Sequence, residues 1–193
     1  MSFIPNENGI NQFLENIKKF GGIKDNSIKI FNSNIEFDEA LIKTWLNNRK
    51  FNSELLYRKT RDGSTPNDFL NRCDNKGITI TFIETTKGYK FGGYTELQWD
   101  NSGGKKDKST FIFSINKNKK FAARNDNYSI VSVSHEGPRF GNRSYPEIFL
   151  NGALDKGQSY DDSSCTFTQG RILTNGEEYW DVKELEVFKI NYI

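Results

Sequence analysis

Ser134, His135 and Glu136 stand side by side in VSVSHEG, and in one-letter code they spell the partners of a nucleophilic hydrolase. A nucleophile and its base must converge to hydrogen-bond distance. Neighbours on an extended segment project to opposite faces, so alternation sets His135 on the side of Val131 and Val133. The run therefore predicts a strand-end histidine with local hydrogen bonds. His135 is the only histidine of the 193 residues, which excludes a multi-histidine metal centre. Cys73 and Cys165, the two cysteines, lie too far apart in the sequence for a zinc motif. Cys73 closes a short helix at NRCDNKG, where the negative end of the helix dipole disfavours a thiolate, and it reads as a buried structural thiol. Asp155, Asp161, Asp162, Glu177 and Glu178 could supply paired carboxylates, but no aromatic-lined cleft can be inferred around them, and an acidic loop is the better reading. No catalytic set, metal or cofactor is expected.

Positive charge is the other chemical resource. Residues 51–124 carry 14 Lys and Arg against 8 Asp and Glu, whereas residues 125–193 carry 6 against 11. Part of the excess sits in NSGGKKDKS and INKNKKFAAR, as Lys105, Lys106, Lys108, Lys117, Lys119, Lys120 and Arg124. Such runs are most often solvated loop tips. The functional alternative is an acidic partner: nucleic acid, a phosphoinositide surface or an acidic protein face.

The elements that must position these residues change character once. Ile10, Phe13, Leu14, Ile17 and Phe20 recur at helical spacing before Gly21-Gly22, and Phe37, Leu41, Ile42 and Trp45 share one side of EFDEALIKTWLNN. A third helix is predicted in STPNDFLNRC, with Thr65 as cap, Pro66 in the first helical position and Asp68 completing a capping box; Phe69, Leu70 and Cys73 then point inward. After Cys73 the period becomes that of strands, at 78–85, 89–99, 109–115, 119–124, 128–135, 147–150, 164–168 and 182–190. Runs of strands without intervening helices predict an antiparallel sandwich or barrel. The 16 Phe and 8 Tyr suit such an interior.

Within one of those strands, KFGGYT, the pair Gly92-Gly93 is followed by more strand and not by a helix, so it is no phosphate cradle. It reads as a bulge or a point of close packing. The turn TRDGSTP predicts that Arg61 and Asp62 fix the entry to the short helix before Gly63, through bonds from the Asp side chain to backbone. No window of 18 apolar residues and no leader-like N-terminus is present, and two cysteines make no disulfide scaffold. The chain reads as soluble, not inserted in a membrane, and resident in the cytoplasm or nucleus. The sequons at Asn127 and Asn142 are accidental under that reading.

The blocks LLYRKTRDGSTPNDFLNRCDNKG (55–77), KFGGYTELQW (90–99), FIFSI (111–115), GPRFG (137–141), GQSYDDSSCTF (157–167) and VKELEVF (182–188), in this order, resemble a TLDc domain. The FGGY block resembles the family's sheet motif, and the ending centred on Glu186 its closing strand. The resemblance divides the chain into an N-terminal helical extension, 1–25, and a TLDc domain, 26–193. It implies a mainly β, α+β fold: an antiparallel β-sandwich flanked by N-terminal helices. It also implies a link to protection against oxidative stress and binding to the vacuolar proton-pumping ATPase, without an agreed catalytic set. The stretch TQGRILTNGEEYWDV (168–182) is longer than the usual link before the last strand, and the LysM, GRAM and TBC modules of larger members have no counterpart. Two classes stay open: a non-enzymatic interaction module, which is favoured, and a stress-responsive DNA-binding regulator using the basic segment. An enzyme acting on peroxides ranks third.

Overall fold

The structure, a computed structural model, describes residues 29–124, 126–168 and 170–193. The predicted helix over Ile10–Phe20 and the extension 1–25 lie outside the described residues. Within them the order is α1 (Glu39–Trp45), β1 (Phe51–Arg58), α2 (Lys59–Asp62), α3 (Pro66–Cys73), β2 (Thr79–Thr85), β3 (Lys90–Thr95), β4 (Gly103–Lys105) and β5 (Phe111–Ser114). There follow β6 (Lys119–Ala122), β7 (Ile130–Ser132), β8 (Arg139–Gly141), β9 (Pro146–Leu150), β10 (Lys156–Gln158), a 3-10 turn at Gly170–Thr174 and β11 (Tyr179–Tyr192). The strand pairings given are all antiparallel and run β4-β7-β8-β9-β10-β11-β2-β3-β5-β6, with β1 added alongside β11. The fold is mainly β with flanking helices, as the alternation predicts.

One strand ties the two halves together. The first residues of β11 pair with β10, and its later residues lie between β1 and β2. Strand β2 then shows why the core has two compartments. Ile80 and Phe82 point to one face, with Phe31, Ile42, Trp45, Phe113 and Phe188, under the layer made by residues 30–46. Ile83 points to the other, with Phe91, Ile112, Phe140, Leu185 and Val187, between the halves of the sandwich. Side-chain alternation along a strand buried on both faces produces this division.

The helices follow their local signals. Asp38 caps α1 by accepting from the Ala40 N–H at 2.9 Å. In α3 the Thr65–Asp68 capping box closes with Pro66 in the first turn, and Phe69, Leu70 and Cys73 are buried, as the pattern predicts. Phe69 then meets Tyr57 and Trp99 edge to face, which closes one part of the inner core.

Four strands escape the sequence pattern. In β1 the run Asn52, Ser53, Glu54 masks the period, because among the described residues this strand pairs with β11 alone and its pattern is not that of a strand held on both edges. Strands β4, β8 and β10 are three residues each, too short to show alternation. Conversely, the predicted strand 164–168 is irregular. Its backbone is held by side chains instead: the Asn127 and Asn142 amides donate to the Ser164 carbonyl at 2.7 and 2.8 Å. β7 ends at Ser132, so His135 sits in a turn with its side chain 79% exposed, 3.9 Å from Glu136.

Gly92 and Gly93 lie in a ladder without register shift on either side, so no bulge is present. Each serves one face. A Cβ at Gly92 would meet the Thr81 carbonyl oxygen at 1.8 Å and the Phe113 ring at 2.8 Å; one at Gly93 would enter the Phe140 ring at 2.5 Å. The pair therefore admits close approach by a neighbouring backbone and by a ring from the opposite half of the sandwich.

Candidate functional site

The structure divides the seven basic candidates. Lys105 is committed inside the fold, its ammonium 2.6 Å from Asp100 and donating to the Gln98 carbonyl. Arg124 donates to the Cys165 carbonyl at 3.3 Å, while its N–H donates to Thr166. Lys106 and Lys119 are exposed, and Lys117 reaches Asn175 at 3.5 Å from the tip of the β5–β6 hairpin. That hairpin pairs four residues per arm, so its two ends stand about 13 Å apart.

Lys108 and Lys120 are brought together, and by residues that sequence reasoning passed over. They border a cleft of about 220 Å³ between the end of α1 and the β5–β6 hairpin, which also holds Arg49, Tyr94, Glu96 and Tyr192. Lys120 donates to the Trp45 carbonyl at 3.0 Å, satisfying a helix C-terminus with a cation, and lies 4.8 Å from the centre of the Phe111 ring. Tyr94 stacks on Phe111, and its hydroxyl is 2.9 Å from both Glu96 and the Tyr192 hydroxyl. Burial, with these two partners, pushes the Tyr94 phenol well above its ordinary range. The Arg49 guanidinium lies over the Tyr192 ring at 3.4 Å. No local pattern marks Arg49; it follows two asparagines in left-handed conformation that end α1.

The family-like motif residues form a second constellation around β1 and β11. Glu186 is fully buried and receives the Arg58 side chain at 2.6 Å, the Asn34 N–H at 2.9 Å and the Ser33 hydroxyl. This clasp fastens residues 30–35 to the sheet. Asp62 accepts from the Arg58 N–H at 2.9 Å and meets the Arg61 and Arg72 guanidinium groups at 2.7 and 3.2 Å. Its burial opposes ionisation, but the hydrogen bonds from Arg61 and Arg58 hold the carboxyl below the usual range. Gly63 has φ +105°, and its carbonyl accepts from the Tyr57 hydroxyl at 2.6 Å. These residues organise the strand end and the helix that follows, and Arg61 and Arg72 border a wide, open depression of about 390 Å³ with Glu54 and Lys76.

The thiols sit in unreactive settings. Burial raises Cys73 well above the ordinary thiol range and pushes Cys165 up to about 11. Among the described residues, no group of three His, Cys, Asp or Glu is placed to hold a metal ion, and no helix is long and apolar enough to cross a membrane.

Glu147 is the exceptional carboxyl. It is fully buried on β9, accepts from the Phe167 and Thr168 N–H groups, and its Oε2 has no hydrogen-bond partner among the described residues. Desolvation pushes its pKa up to about 7 from 4.5, against the opposing backbone hydrogen bonds and the charge of Arg124. Cys165 also faces it. The fold thus favours the neutral acid, and this stabilisation is complete below pH 4.5 and lost as pH rises through 7. The loss amounts to about 3 kcal/mol. Urea midpoints are expected to fall between pH 5 and pH 8, and to fall much less in Glu147→Gln; parallel pH profiles for the two proteins would contradict this assignment.

Comparison with known proteins agrees with this architecture. The MTOR-associated protein MEAK7 of Danio rerio is 23% identical over 145 residues, which cover 70% of this chain and 32% of that protein. The chain spans about a third of the length of that relative. Residues 23–191 match the family model described as TLDc domain, and the chain belongs to the TLDc domain family.

Proposed function

We propose that the chain is a non-enzymatic interaction module of the oxidative-stress response, acting through a protein partner, with subunits of the vacuolar proton-pumping ATPase as the partner to test first. The observation that carries this reading is the family match over residues 23–191. Two features support the non-enzymatic part: both thiols are buried with raised pKa, and His135 stands in an exposed turn whose one ion-pair neighbour among the described residues is Glu136 at 3.9 Å. The cytoplasm is the compartment this reading calls for.

The second reading, a stress-responsive DNA-binding regulator working in the nucleus, rests on the exposed Lys106, Lys117 and Lys119. Duplex binding through separated lysines is strongly salt-dependent and carries little base readout. Affinity purification from lysate, with and without nuclease, separates the two. Recovery of pump subunits that survives nuclease is the expected result. Recovery of DNA, with no protein retained after nuclease, would replace the first reading by the second.

A further inference from the structure

We infer that the cleft between α1 and the β5–β6 hairpin is a docking subsite for an acidic side chain of a protein partner, with Arg49 as the group that takes the carboxylate. The inference rests on the interaction-module reading and adds to it a place and a chemistry.

Arg49 is set apart from most arginines of the fold, sharing only with Arg124 and Arg143 the lack of an ion pair among the described residues, and it alone of these three is stacked on a ring in the cleft. Arg58, Arg61, Arg72, Arg139 and Arg171 each meet a carboxylate. Arg49 has no acidic partner among the described residues, and its guanidinium is laid 3.4 Å above the Tyr192 ring. Stacking occupies a face of the guanidinium and leaves the donors on its edge available, already oriented for a planar, bidentate acceptor. The platform is itself fixed. Tyr192 is hydrogen-bonded to Tyr94, and Tyr94 stacks on Phe111. Three strands, β11, β3 and β5, therefore hold one ring for Arg49.

The surroundings select the ligand class. Lys120 is held in place by the Trp45 carbonyl, and Lys108 reaches Asp126 only at 4.0 Å, so two further cations face the cleft. The acid on its wall, Glu96, is hydrogen-bonded by Tyr94. The balance attracts an anion. The volume of about 220 Å³ lies below the roughly 300–1,000 Å³ of small-molecule sites and admits one or two side chains. Aromatic walls from Trp45 and Phe111, with a carboxylate at the rim, suit Asp or Glu next to an apolar residue better than a nucleotide or a polyphosphate.

The test uses the full chain and a pool of blocked tetrapeptides that carry Asp or Glu beside Phe or Leu, with the Asn and Gln counterparts as control. Binding is followed through the Arg49 Nε–Hε resonance. The acidic pool is expected to shift it saturably, and the amide pool to leave it unmoved. Arg49→Gln, an exposed change, is expected to weaken binding about tenfold or more by intrinsic fluorescence, and Arg49→Lys nearly as much, because the ammonium keeps the charge but not the planar fork. Equal binding of both pools, unchanged affinity in Arg49→Gln, or an Arg49 response to duplex oligonucleotide in place of peptide would each overturn the assignment. Pump-subunit recovery with wild type tells the two ideas apart. Subunits captured without peptide binding remove the subsite alone; peptide binding without subunits removes the pump reading alone.

Discussion

Gly92→Ala is expected to destabilise the protein by more than about 3 kcal/mol, and Gly92→Val to prevent accumulation of folded protein. The added Cβ lies 1.8 Å from the Thr81 carbonyl oxygen. That atom belongs to the backbone of β2, paired on its other side with β11, so it cannot retreat without opening a ladder at the centre of the sheet. Gly93→Ala makes an instructive comparison. The three atoms nearest its Cβ all belong to the Phe140 ring, a side chain that can shift at the expense of its edge contact with Trp99 at 5.7 Å. A loss of about 1–3 kcal/mol is expected there. Chemical denaturation of the two alanine variants checks the order, and a Gly92→Ala protein as stable as wild type would show that the close approach is not the reason for the glycine.

Arg58→Ala is expected to cost about 3–5 kcal/mol, because it leaves the fully buried Glu186 carboxylate without its cation. The loss is not confined to β1 and β11. Glu186 also binds the Asn34 N–H, and Arg58 donates to the Asn32 carbonyl, so the clasp anchors the layer in which Phe31 packs edge to face on Phe82 and Phe188. Backbone amides of residues 30–35 should therefore exchange hydrogen faster in Arg58→Ala, ahead of those in β2 and β3. Glu186→Gln retains an acceptor for Asn34 and is expected to be the milder change, about 1–2 kcal/mol. Uniform acceleration of exchange across the sheet, with residues 30–35 no more affected than β3, would mean that the pair supports global stability without acting as a clasp.

What the sequence determined by itself is what a window of some ten residues can encode. The alternation in TITFIET, the helical spacing in EALIKTW and the capping box between Thr65 and Asp68 each bring their partners within one turn or one strand, so the antiparallel, mainly β class and the positions of α1 and α3 were legible without neighbours. So was the inward position of Cys73. The tertiary structure alone decided three things. The strand at Phe51–Arg58 exists because β11 offers it an edge, not because its own residues alternate. The irregular path of residues 164–168 wins over their β-rich composition because amide and carboxyl side chains, including the buried Glu147, take up their backbone groups. Finally, Arg58 and Glu186 are 128 positions apart, and the hydroxyls of Tyr94 and Tyr192 are 98 apart. Contacts of that range are products of chain closure: no local pattern separates Arg49, stacked and awaiting an acid, from a lysine or arginine that merely faces water.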